Sequence, residues 1–169
     1  MPMKSMKDLL VNQLNELYAA ERHASTLLPR LADRAASKAL AECLRTHATE
    51  TKEHVARLDA CFKDLGLKPH AARAETASMK GIARDCLEVA QDRTAEPHVR
   101  DAAIVAAAQH LEHDEIAGYG CARTWATVLG HPQVADRLQQ TLNEEHHADE
   151  DLSKVAQQVN REAMSAAAG

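Results

Sequence analysis

The sequence of 169 residues predicts an all-α fold, an antiparallel four-helix bundle with a long crossover that contains a short fifth helix. Composition points there first. Six Gly, five Pro and an aromatic share of 2% are low for this length, while Ala, Leu, Glu, Gln and Arg, which sit easily in helices, are abundant. Periodicity points there second, because apolar residues recur at three- and four-residue steps over four long stretches. The spacing of those stretches sets the connectivity: a tight join, a long one, then another tight one.

Residues 4–34 read as the first helix, with Leu10, Leu14, Leu17, Ala24, Leu28 and Leu31 on one face. Ser37 is placed to cap the second, which runs to about Leu65 through Leu40, Leu44, Leu58 and Phe62 before Gly66 and Pro69 stop it. A polar stretch leads into a short amphipathic helix from about Thr76 to Asp92, carrying Met79, Ile82, Cys86 and Val89. Pro97 sits where a first helical turn tolerates it, and Ile104, Ala108, Leu111, Ala122, Trp125 and Leu129 mark the third long helix. Gly130 ends that helix and Pro132 restarts the chain. Val134, Leu138, Leu142, Leu152 and Val155 carry the fourth, and residues 163–169 are expected to fray.

Helices of about 30 residues are about 45 Å long. The short joins make residues 4–65 and 97–160 two antiparallel hairpins, and the crossover at 66–96 is long enough to run the length of a bundle. This is the wiring of a ferritin-like fold, and it makes residues 1–162 a single domain. A shift of 94 residues lays one hairpin on the other without a gap. Leu17 falls on Leu111, Glu21 on Glu115, Leu44 on Leu138, Glu50 on Glu144 and Leu58 on Leu152, as a pseudo-twofold pair requires.

Several function classes drop out. A net charge of −5 and no basic run interleaved with aromatics argue against nucleic acid as a partner. No apolar run approaches the roughly 18 residues that a membrane span needs, and MPMKSMKDLL lacks the apolar stretch of a signal peptide. Cys43, Cys61, Cys86 and Cys121 form no CxxC pair and read as reduced residues of a cytoplasmic protein.

What interrupts the apolar stripes is more informative. On the first helix the stripe through Leu10, Leu14 and Leu17 meets Glu21 before Ala24 and Leu28. On the third, Ile104, Ala108 and Leu111 lead to Glu115, then Gly118 and Ala122. The second reads Leu40, Leu44, His47, Thr51, His54, Leu58, with Glu50 on its flank, and the fourth Leu138, Leu142, Glu145, Asp149, Leu152. Glu112 and Tyr18 also flank stripes. Every long helix thus loses its apolar character at mid-length to Glu, Asp or His, while Arg22 and Lys52 are rotated well off. An uncompensated buried carboxylate costs several kcal/mol, so protonation, pairing with His or a bound cation must neutralise the layer. Two or more metal ions do so most completely, and carboxylate with imidazole suits iron, manganese or zinc.

Blander readings apply to single residues. A lone mid-stripe Glu is usually satisfied locally; four helices carrying one at the same height favour a metal layer. His47 by itself reads as a core or supporting histidine rather than a ligand. Glu144 and His147 spell Glu-x-x-His, the usual di-iron helix motif, but the helical wheel turns both to solvent, with His110, His113 and His146. Tyr18 and Tyr119 lie near the site and would either be redox-active or cap it, capping being the commoner role.

The segments ELYAAE (16–21), THATETKEHVARL (46–58), AAAQHLEHDEIAGYG (106–120) and TLNEEHHADEDL (141–152) resemble the YciF/YciE-type ferritin-like stress proteins of bacteria. The resemblance covers about residues 6–158 and implies a bundle with a crossover helix, a homodimer and a di-iron centre. It makes Glu21 the first-helix carboxylate, Glu50 with His54 the second-helix pair, Glu112 with Glu115 the third-helix pair, and Glu145 with Asp149 the fourth-helix pair. Two features depart from the general ferritin pattern. Glu50 and His54 are four apart rather than three, and Asp149 stands where a His is commoner. The expected site is therefore carboxylate-rich, with six or seven ligands. Glu50 and Glu145 would bridge, Glu21 and Glu115 would be terminal, His54 would supply nitrogen, and Glu112 or Asp149 would shift with redox state.

The leading expectation is a di-iron or di-manganese protein that reacts with dioxygen or peroxide. The alternative is a structural or interaction bundle in which the metal layer only stabilises.

Overall fold

The computed structural model describes residues 3–70 and 76–166. Five helices follow in order, α1 (Met6–Ala32), α2 (Lys38–Asp64), α3 (Ala77–Gln91), α4 (Pro97–Val128) and α5 (Pro132–Ala166). The first four starts have a local cause. Ser5, Ser37 and Thr76 accept the backbone N–H three residues on, at Asp8, Leu40 and Met79. Glu96 accepts from His98 and Val99 while Pro97 occupies the first turn of α4. At the turn into α5, Gly130 takes φ 76°. That left-handed residue lets its own N–H reach Thr127 O and the next N–H reach Ala126 O, closing the end of α4. The fraying expected from residue 163 meets a helix that continues to Ala166, and residues 167–169 lie outside the described residues.

The two hairpins, α1–α2 and α4–α5, pack α1 on α4 and α2 on α5, and α3 lies across α1 and α4. Polar anchors fix the connections. Asp101, fully buried on α4, accepts the N–H groups of Ala36 at 2.9 Å and Ser37 at 2.6 Å, tying down the α1–α2 turn. Asn15 accepts from the His70 N–H at the start of the crossover, and the Arg34 guanidinium donates to Ala90 O at its far end.

The apolar core is two clusters rather than one. One holds Leu28, Leu31, Leu40, Leu44, Ile104 and Leu111. The other holds Leu10, Leu14, Leu58, Phe62, Leu138 and Leu142. Between them, at mid-length on every long helix, lies a polar layer.

Candidate metal centre

Six side chains make up that layer: Glu21 from α1, His47 and His54 from α2, Glu112 and Glu115 from α4, and Glu145 from α5, none more than 4% exposed. Each occupies or flanks a stripe position where an apolar residue would complete the core, which is why each points inward. His47 and His54 stand two turns apart with ring centroids 5.9 Å from each other. Gly118 lets α1 and α4 close at this level, because a Cβ there would lie 2.8 Å from Leu17 Cδ2.

Ligand atoms of His47, Glu112, Glu115 and Glu145 all lie within 4.8 Å of one another, as do those of Glu21, His54 and Glu145. Glu145 belongs to both groups. His47 Nε2 is 2.9 Å from Glu112 Oε2 and 3.3 Å from Glu145 Oε2, and His54 Nδ1 is 2.8 Å from Glu145 Oε1 and 3.3 Å from Glu21 Oε1. Yet both nitrogens and all the carboxylate oxygens of Glu112, Glu115 and Glu145 lack a hydrogen-bond partner. The pairs are close but oblique, so the donor atoms converge on shared space instead of bonding one another. Buried polar atoms are nearly always satisfied. Orphans of this number, all oxygen and imidazole nitrogen, fit a hard or borderline divalent cation.

The electrostatics agree. Burial raises the Glu21 carboxyl to about 7, helped by the neighbouring Glu145 charge. Burial likewise raises Glu112 to about 7 against the pull of His47, and Glu115 stands well above its ordinary range through burial and the Glu21 charge. For His54 burial works downwards, but Glu145 and Glu21 outweigh it and lift the imidazole to about 10. His47 is raised in the same way, mainly by Glu112. Burial opposes ionisation of Glu145 too, and the two imidazoles overcome it and hold that carboxyl low. Without a cation the layer balances its charge by retaining protons. No Lys or Arg belongs to the buried charged set among the described residues.

The seven residues singled out from sequence fall in two places. Glu21, His54, Glu112, Glu115 and Glu145 meet in the layer. Glu50 stays outside it, its side chain 44% exposed and 3.3 Å from His47 Nδ1. Asp149 also stays outside, accepting a hydrogen bond from Gln109 and pairing with His113. Glu50 sits on the rim because its flank position points along the helix–helix seam, whereas Asp149, though on the α5 stripe, turns to Gln109 of α4. His47, set aside from sequence as a supporting residue, lies in the layer. It shares the α2 stripe with His54, and that stripe was the available signal.

Three residues complete the surroundings. Tyr119 donates its O–H to Glu21 Oε1 at 2.5 Å, whereas Tyr18 packs edge-on against Phe62. Glu144 accepts from His54 Nε2 at 2.9 Å and is itself gripped by Arg57. Burial works against the Glu144 charge, but Arg57 and His54 prevail and hold it below its ordinary range. Glu50 and Glu144, superposed by the 94-residue shift, thus serve alike, each backing a histidine from outside. Two clefts border the layer. One of about 280 Å³ between α2 and α5 reaches His47, and one of about 270 Å³ between α1, α3 and α4 reaches Glu115.

Fold and site together define a ferritin-like helical bundle with a buried carboxylate–histidine layer. More narrowly, the chain belongs to the family described as a domain of unknown function, DUF892, whose profile matches residues 5–165. It is 34% identical to the protein YciF of Escherichia coli K12, over 99% of this chain and 100% of that protein. The crystal structure of that E. coli stress protein superposes with a TM-score of 0.88 and covers 94% of this chain and 99% of its own. YcfI of Rhodopseudomonas palustris, provisionally described as a structural protein, is 36% identical with a TM-score of 0.84, over 90% of this chain and 96% of that one. A ferritin-like diiron-carboxylate protein of Bacillus anthracis shares the fold at 16% identity and TM-score 0.69, covering 91% and 99% of the two chains.

Proposed function

We propose that the layer holds two metal ions, iron foremost with manganese or zinc as alternatives, and that the protein uses them on dioxygen or peroxide during stress. The observation that carries this reading is the set of buried carboxylate and imidazole atoms that converge without hydrogen-bonding one another. Bound iron would supply electrons to the oxidant by passing between its ferrous and ferric states.

The chain's own part is positional. Glu145, common to both groups of donors, would help hold both ions, with Glu21 and His54 completing one group and His47, Glu112 and Glu115 the other. Tyr119 holds Glu21 Oε1 through its O–H and keeps that proton on the phenol side. The two apolar clusters seal the layer from bulk water above and below, leaving the clefts at His47 and Glu115 as approaches for small molecules. Carriage as a homodimer in the cytoplasm belongs to the same proposal, supported by the family resemblance. Among the described residues no helix is long and apolar enough to cross a membrane.

The test is elemental analysis of protein purified without chelators, followed by ferrous oxidation and peroxide consumption against free iron. Bound metal with turnover above free iron is the expected result, and turnover equal to free iron would refute it. A second reading, a structural bundle stabilised by its metal, draws on the layer's ability to balance itself with protons and on the description of YcfI. Under it, metal removal lowers the melting temperature and abolishes no activity.

A further inference from the structure

We propose that Arg57 is a positioning residue for the layer, acting through Glu144 to fix the His54 ring with Nδ1 turned inward. This rests on the metal reading above.

His54 is fully buried and contacted at both nitrogens. On the outer side Nε2 meets Glu144 Oε2 at 2.9 Å in good hydrogen-bond geometry. On the inner side Nδ1 faces Glu145 and Glu21 at 2.8 and 3.3 Å without such geometry. An imidazole offers a lone pair to a metal from one nitrogen when the other carries the proton and has an acceptor for it. Glu144 is that acceptor. It is also a flexible side chain, 26% exposed, free by itself to turn to solvent or to swing towards the layer beside Glu145.

Arg57 removes that freedom. Its Nη1 donates to Glu144 Oε2 at 2.5 Å and its Nη2 to Oε1 at 2.9 Å, and Nη1 also reaches Thr141 Oγ1 at 3.1 Å. Only the planar fork of a guanidinium engages both carboxylate oxygens at once. The grip explains why Glu144, the Glu of the Glu-x-x-His sequence on α5, backs a histidine instead of joining the layer. His47 is held more loosely, by a Glu50 that is 44% exposed and 3.3 Å away.

The experiment titrates metal-free protein with Zn²⁺ against a chromophoric chelator, for wild type, Arg57→Ala, Glu144→Ala and the double variant. Each single change is expected to weaken Zn²⁺ binding about 10- to 100-fold, and the double variant to bind no more weakly than Glu144→Ala, because Arg57 acts through Glu144. Co²⁺ absorption bands should shift alike in both single variants. Arg57→Lys, which keeps the charge without the fork, should remain weakened. Should Arg57→Ala fail to fold, Arg57→Gln replaces it in the same titration. Unchanged Zn²⁺ affinity in a variant with a lowered melting temperature would make Arg57 a mere brace between α2 and α5 and overturn the proposal, as would losses that multiply in the double variant. Wild-type protein that takes up no Zn²⁺ overturns the metal reading itself, and this proposal with it.

Discussion

Glu145 is the residue on which the layer turns. Its two oxygens face both histidines, and it belongs to both groups of converging donors. If the layer holds two ions as proposed, Glu145→Ala is therefore expected to abolish tight binding of both in elemental analysis. Asp149→Ala should leave metal content unchanged, and Glu50→Ala should weaken binding without lowering the content at saturation. Loss of metal in Asp149→Ala would put that carboxylate back among the ligands. Tyr119→Phe removes the hydrogen bond that fully buried Glu21 accepts from the phenol. It should destabilise the metal-free protein by about 1–3 kcal/mol in urea unfolding. At this scale the sequence showed direction but not reach. A helical wheel gives the azimuth of a Cβ, which suffices for Glu21, Glu115 and Glu145, whose stripes are otherwise apolar. It says nothing of where a long side chain ends, so the Arg57–Glu144–His54 chain was illegible. His47 is the harder case, because a lone buried histidine is usually structural, and only its place on the His54 stripe points to the layer.

Elements were more legible, since their ends are set by local chemistry. Ser37, Thr76 and Pro97 mark starts, and Gly130 marks a stop, by mechanisms that act within four residues. The connections depend instead on distant partners. The α1–α2 turn is pinned by Asp101, more than sixty residues away in sequence, through the Ala36 and Ser37 N–H groups. No periodicity marks that residue, because its value lies in the turn it meets. Asp101→Ala leaves both N–H groups without their acceptor and is expected to cost about 1–3 kcal/mol, or roughly 2–4 °C in melting temperature for each kcal/mol. Asp101→Asn keeps one acceptor and should lose less. An Asp101→Ala protein that melts with the wild type would show that water replaces the carboxylate.

For the whole molecule, two apolar clusters supply stability and the layer between them limits it. That division fixes how stability depends on pH in metal-free protein. Glu21 and Glu112 are raised to about 7 in the fold, chiefly by burial, so the fold favours their neutral forms. Their contribution is complete below about 4.5 and disappears as pH rises through about 7. His54 is raised to about 10: burial opposes its charge, but Glu145 and Glu21 prevail. Its contribution is complete below about 6.5 and disappears as pH rises through about 10. Both trends have the same sign. Glu145, held low against burial by the two imidazoles, contributes above about 4.5 and loses its contribution as pH falls. Metal-free protein should accordingly be most stable near pH 5 and melt at steadily lower temperature towards pH 9. A metal bound as proposed would reverse the trend, because it requires deprotonated carboxylates and neutral imidazoles and so binds better as pH rises. A metal ion at a free concentration 100 times its Kd adds about 2.7 kcal/mol. The gap in melting temperature between loaded and metal-free protein should therefore widen from pH 5 to pH 8, as read by differential scanning calorimetry at fixed free Zn²⁺. A gap independent of pH would mean that the ion binds away from the protonated layer, at groups already ionised at pH 5.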